Sequence, residues 1–449
     1  MVDVAPLPAP EAVDEVSENE TDGPAVRRRG RRRRAPAHQA AAARPRHFPC
    51  FDGLRAIAAI LVVLVHTSFA SGFTLRSSAG IYTARLEIGV AVFFLISGFL
   101  LYRPFAASHI AGGAAPSTGK FWVRRFLRIM PAYWLAFLIT NYVMHIDTKV
   151  HPGWHSLLIY LGLVQVYIPS HALTGITQAW SLCTEVAFYL FLPLYAMLVV
   201  RGRRSDRHQL SRELVALAGL FSLGLGLRFW LLHLHSPFAY IALEWLPSCF
   251  DLFALGMLLA VVSSWLAHRQ SAPKWLWHPA MPWVSWLLAL GMLWAVSHLG
   301  VSRSPLEHNP PGRGVAQELL YGLFAFFLLL PAVFGPQRSG TIRWILRCKP
   351  VAALGVVSYG VYLWHQAWVD MYVFRWTHTL FRVPFPELFG VALGLAVASA
   401  SASYLLVERP ILALKDRLGW WTGSGRARGA LAPAVTSVTA VTSEAPADA

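Results

Sequence analysis

Ten stretches of this chain are long and apolar enough to cross a bilayer, and they leave little room for any other architecture. They fall at 52–70, 87–105, 126–144, 180–200, 214–235, 246–266, 279–299, 315–334, 351–373 and 386–407. A hydrocarbon core takes about 20 predominantly apolar residues in a helix, which satisfies its own backbone polar groups. Composition agrees: 55% of residues are hydrophobic and only 14% charged, against about a quarter charged in soluble domains. The fold class that follows is an all-α integral membrane protein of about ten transmembrane helices. The apolar stretch 156–168 is only 13 residues long, too short to cross, and is expected to be interfacial or re-entrant.

Charge sets the expected orientation. The formal net charge is +16, and seven arginines, Arg27 to Arg29 and Arg31 to Arg34, precede the first apolar stretch. A basic block beside a membrane segment is a cytoplasmic signal and a contact for anionic membrane lipids. Ten crossings from a cytoplasmic N-terminus place the basic loops at 201–207, 269–274 and 338–349 on the same side. Both termini are then cytoplasmic. No aromatic-interleaved basic surface is visible, so nucleic acid is not an expected partner. Residues 1–47 and 413–449 are low in apolar periodicity and read as disordered tails around a membrane domain over 48–412. Cys50, Cys183, Cys249 and Cys348 show no metal-ligand spacing, so no metal site is expected.

Ionisable residues inside apolar spans are costly and point to function. Arg55 and His66 share the first span, eleven residues apart, hence on one helix face and about 16 Å apart along the axis. With the orientation above, Arg55 lies near the inner surface. His66, Glu185, Arg228, Asp251 and His365 fall in the outer half of five different spans, where they are expected to face one another. Asp251 and Arg228 are candidates to neutralise each other. At the entry to the third span, Arg124 and Arg128 are four apart on one face and suit phosphate oxygens.

A basic inner mouth with a histidine and a carboxylate further out fits a long, phosphate-headed donor such as acyl-CoA. Arg55, Arg124 and Arg128 would hold its phosphates. His66 would deprotonate an acceptor hydroxyl as general base, and Glu185 would fix the tautomer of His66. Tyr362, three residues before His365, shares its helix face. Ser97 joins Tyr362, His365, Asp251 and Arg228 as candidate substrate contacts, with Ser97-Gly98 also suited to close helix packing. No permanently bound cofactor is required. A transporter with an intramembrane polar path is the alternative reading, which the lack of an internal repeat weakens.

The chain resembles the membrane acyltransferase family 3, O-acetyltransferases that modify envelope glycans, macrolides and other acceptors. The likeness rests on the R-x10-H pair Arg55 and His66 and on F-F-L-I-S-G-F-L-L (93–101), R-F-L-R-I-M-P-A-Y-W (125–134), W-S-L-C-T-E-V-A-F-Y-L (180–190), S-Y-G-V-Y-L-W-H (358–365) and E-R-P (408–410). It implies a bacterial plasma-membrane enzyme using cytoplasmic acyl-CoA on an outward hydroxyl-bearing acceptor, with Arg55 and His66 critical and Glu185 their partner. Some relatives add an SGNH hydrolase-like domain. No G-D-S-type segment follows the last span here, so transfer is expected to finish within the membrane domain.

Overall fold

The computed structural model describes residues 48–417, apart from 147–152, 201–205, 271–272, 305–306 and 308. The tail expected at 1–47 lies outside the described residues; of the second, expected at 413–449, residues 413–417 instead continue a helix, Arg409–Arg417, and the rest lies outside the described residues. Every regular element among the described residues is helical. The long helices are α1 (Phe51–Ala70), α2 (Ile88–Ala111), α3 (Thr118–Leu138), α4 (Trp180–Val199), α5 (Asp206–Leu234), α6 (Phe250–Arg269), α7 (Met281–Ser297), α8 (Pro311–Val333), α9 (Lys349–Asp370) and α10 (Phe385–Ser403).

Each long helix lies on one of the ten apolar stretches. Eight are long and apolar enough to cross a membrane, which makes this an all-α integral membrane protein. The two outside that set have plain reasons. Helix α7 has only 17 residues. Helix α9 has 22, but Ser358, Tyr359, Tyr362, His365 and Gln366 lower its hydropathy. Those polar residues form much of the site described below.

Helix α1 packs against α2 and α9, α9 against α10, and α2 against α6. The α2–α6 contact is a backbone-to-backbone approach. A Cβ on Gly98 would stand 2.5 Å from the Phe253 carbonyl oxygen, and one on Gly256 would stand 2.3 Å from that of Leu95. In lipid, where apolar burial adds little between helices, such close contact is a main source of association. Ser97-Gly98 therefore does bring helices together.

The short stretch after α3 folds into the bundle. It forms a helix over Trp154–Leu161, and Tyr160, Leu163 and Val166 are buried. The Tyr133 hydroxyl donates to the Tyr160 carbonyl at 2.8 Å, and the Trp134 indole to that of Leu161 at 2.9 Å. Trp245 likewise donates to the Val166 carbonyl at 2.9 Å. This inward fold sets where α4 starts. Gln178, just before α4, donates to the carbonyls of Tyr362 and Leu363 at 3.1 and 3.0 Å, well inside the length of α9.

Candidate active site

Arg55 and His66 share a face of α1 but open onto different cavities. Arg55 lines one of about 100 Å³ with Ser97, Arg125, Arg128, Glu185 and Tyr362. His66 lines another of about 470 Å³ with Arg228, Glu244 and Glu318. A third, of about 900 Å³, lies by His109 and Gln209 and touches none of the site residues expected from the sequence.

At the Arg55 cavity, Arg55 donates to Asp52 on its own helix at 3.0 Å, a partner one turn away that the sequence reading overlooked. Glu185 does not reach His66. It accepts from Ser97 at 2.5 Å and from Tyr189 at 2.7 Å, and so belongs to the arginine side. The pairing differs from the expected one because α4 begins against Tyr362 and Leu363, midway along α9, so its first turns already lie at the Arg55 cavity. Arg124 is exposed and does not line the cavity, whereas Arg125 and Arg128 do. The phase of α3 explains the exchange: Ile129, Ala132, Tyr133 and Ala136 are its buried face, and Arg125, four before Ile129, continues that stripe.

Tyr362 links the two ends. Its hydroxyl is 2.6 Å from that of Ser181 and donates to the Gln178 carbonyl at 3.0 Å. One turn on, His365 is completely buried. His365 Nδ1 faces the Tyr362 carbonyl at 2.8 Å and that of Val361 at 3.2 Å. A carbonyl only accepts, so Nδ1 carries the proton and Nε2 a lone pair. That Nε2 is 3.2 Å from His66 Nδ1, which in turn is 2.8 Å from the Val62 carbonyl. By the same logic His66 holds its proton on Nδ1, shared between Val62 and His365. The second nitrogen of His66 has no hydrogen-bond partner among the described residues and is the lone pair left to act as a base.

Arg228 was expected opposite Asp251. Its ion pair is instead with Glu318 on α8, at 3.2 Å, because α5 packs against α8 as well as α6. Asp251 is buried, with Oδ1 unpaired. The five ionisable residues expected to face one another thus divide. His66 meets His365, Arg228 shares the His66 cavity, Asp251 sits beside that cavity's ion pair, and Glu185 is elsewhere. Glu318 and Glu244 went unnoticed in the sequence: Glu318 opens the eighth apolar stretch and Glu244 precedes the sixth, where each passes for a span-edge charge.

An acyltransferase domain model, that of the acyltransferase 3 family, matches residues 48–407. The chain belongs to this family. It is similar to the acyltransferase MdmB of Streptomyces mycarofaciens, at 34% identity over 34% of this chain and 40% of the relative. It is also similar to the peptidoglycan O-acetyltransferase OatA of Listeria monocytogenes, at 24% identity over 82% of this chain and 56% of the relative. Nodulation protein 10 of Rhizobium leguminosarum bv. viciae is 27% identical over 74% of this chain and 83% of its own length. The chain thus spans about half the length of the first two relatives, 40% and 56%. No solved structure matches the chain.

Proposed function

We propose that this chain is an O-acyltransferase of the bacterial cell membrane. It moves an acyl group, in the simplest case acetyl, from cytoplasmic acyl-CoA to a hydroxyl of an envelope glycan, glycolipid or secondary metabolite. Family membership and the names of the relatives support the reaction class. The observation that carries the mechanism is the His66–His365 pair, which leaves one His66 nitrogen free at the edge of a cavity large enough for a ligand.

In this reading the free nitrogen of His66 takes the proton of the acceptor hydroxyl as its oxygen attacks the thioester carbonyl. The C–S bond breaks, CoA leaves as a thiolate, and the proton on His66 passes to that sulfur. His365 accepts from Nδ1 of His66 throughout, the orienting role that a carboxylate plays in a triad. The donor phosphates are assigned to Arg125 and Arg128, with Arg55 held by Asp52 beside them. The Arg55 cavity is smaller than the roughly 300 Å³ at which ligand pockets begin. The nucleotide head therefore stays at its mouth, by the exposed Arg128, and only the slender arm enters. In this reading the arm reaches His66 past Tyr362, in the wall of the Arg55 cavity, and His365, which touches both Tyr362 and His66.

Membranes holding the full chain and given labelled acetyl-CoA are expected to pass label to a hydroxyl acceptor. His66→Ala is expected to slow this by about 10²–10⁴-fold, the usual worth of a general base. An unimpaired His66→Ala protein would remove His66 from the mechanism. Mass spectrometry of envelope lipids and glycans, with and without the gene, is expected to show one lost acyl increment that identifies the acceptor.

A further inference from the structure

The polar groups around the His66 cavity are nearly all engaged within the protein. Arg228 pairs with Glu318 at 3.2 Å. Arg85 is turned onto the carbonyls of Val301 and Ser302, and Arg303 onto that of Ser77. Glu87 accepts from Gln317 and Tyr321 at 3.0 and 2.8 Å, and Glu307 from Ser302 at 2.6 Å. Among the described charged residues of this wall Glu244 is the exception. It lies in the loop between α5 and α6 and lines the cavity. Thr184 donates to its backbone carbonyl and so fixes the loop in place. Among the described residues no hydrogen bond or ion pair reaches its carboxylate.

The surrounding charge is short of a cation. Arg228 is the nearby positive group acting on Glu244, while Glu318 and Glu87 oppose ionisation. Asp251, buried with Oδ1 unpaired, also draws on Arg228. One guanidinium is thus shared by Glu318, Asp251 and Glu244. Burial pushes the Glu244 carboxyl up to about 8 despite Arg228, as expected of a carboxyl lacking a counter-charge. A carboxylate held in a cavity wall, next to the proposed base and with one charge too few around it, is completed by a cation on the ligand. No group of residues suited to hold a metal ion occurs among the described residues, so an organic cation is the fitting partner.

We infer that the acceptor in the His66 cavity is a hydroxyl compound carrying a protonated amine, an amino sugar in its simplest form, and that Glu244 seats the amine. The inference rests on the acyl-transfer reading, since it names the acceptor of that reaction. Losing one partner of a desolvated pair costs about 2 kcal/mol or more, which is about 30-fold in affinity.

The test compares two acceptors that differ only in the amine, chitobiose with free amines and N,N′-diacetylchitobiose, on the full chain in proteoliposomes with acetyl-CoA. The free amine is expected to be used at least 30-fold better in kcat/KM, mainly through KM. Glu244→Gln is expected to collapse the ratio toward one, and Glu244→Asp to keep part of it. Equal use of both sugars, or a preference that survives Glu244→Gln, overturns the inference. Melting temperature is read in parallel for both variants and both sugars. Failure of acyl transfer itself looks different: no acetyl-CoA is consumed with either sugar, yet the free amine still raises the melting temperature of the parent chain and not of Glu244→Gln. If the free amine raises neither melting temperature nor rate, the amine seat is excluded whatever the fate of acyl transfer.

Discussion

His66 Nδ1 and His365 Nε2 lie 3.2 Å apart although 299 residues separate them in the chain. The contact couples α1 to α9, and backbone carbonyls fix the proton of each ring. If His365 acts only by accepting from His66, another acceptor can replace it. His365→Gln, which offers a carbonyl oxygen, is expected to keep more activity than His365→Leu, with the leucine variant down about 10–100-fold in kcat, a usual loss when the group that orients a reactive side chain is removed. The pH–rate profile decides: His365→Leu is expected to move its acidic limb, where His66 takes up a proton and stops acting as a base, whereas a purely structural defect lowers the curve without moving it.

Arg125 and Arg124 are neighbours with opposite expected consequences. Arg125 lines the Arg55 cavity and Arg124 does not. Arg125→Ala is expected to raise KM for acetyl-CoA by about tenfold or more, given roughly 1.5–3 kcal/mol for a hydrogen bond to a charged group. Arg124→Ala is expected to leave it within about twofold, as for an exposed charge. Initial rates over a range of acetyl-CoA concentrations separate the two.

The glycines of α2 and α6 predict a contrast in stability. Gly256→Val forces its side chain onto the Leu95 carbonyl, and overpacking of this kind typically costs about 1–3 kcal/mol or more. At Gly219 in α5 an added Cβ meets nothing within 4 Å, so Gly219→Ala is expected to be neutral or stabilising by up to about 1 kcal/mol. Melting temperatures in one detergent check both.

The Arg228–Glu318 pair is mostly buried, with 15% and 10% of the side chains exposed. Arg228→Met strands three carboxyl groups and is expected to cost about 3–5 kcal/mol. Glu318→Gln leaves Arg228 with Asp251 and Glu244 and is expected to cost less. The double variant is expected to recover part of the Arg228→Met loss.

Glu244 gives the stability of the chain a pH dependence. Its ordinary value is 4.5, and in the fold it is raised to about 8. Below pH 4.5 it is protonated folded or unfolded and costs nothing. Between 4.5 and 8 the folded chain must keep a proton that the unfolded chain releases, so stability falls as pH rises. Glu244→Gln is therefore expected to raise the melting temperature at pH 8.5 and to leave it unchanged at pH 4.

Much of this fold is written in the apolar stretches, because a helix in lipid needs length and hydropathy above all. The site is less legible, for reasons that differ by residue. The partner of Glu185 is not legible because an apolar run does not say against which part of a neighbouring helix it begins, and α4 begins midway along α9. Arg125 could have been found: the stripe Ile129, Ala132, Tyr133 and Ala136 sets the phase of α3. The polar character of α9 was a similar signal that it faces a site. The meeting of His66 with His365, and of Arg228 with Glu318, depends on which helices are neighbours, and no local pattern encodes that.

The partition between the two cavities has a bioenergetic consequence. If the chain hands an acyl group across the membrane, as proposed, it does so within a sheet that must hold an ion gradient. Phe93 edges onto Tyr362 with ring centroids 5.8 Å apart, and the buried His365 lies one turn beyond. On the proposed function, an acyl arm in the Arg55 cavity has these rings and the buried His365 between it and His66, and a barrier that parts only for the arm would keep hydrated ions from following it.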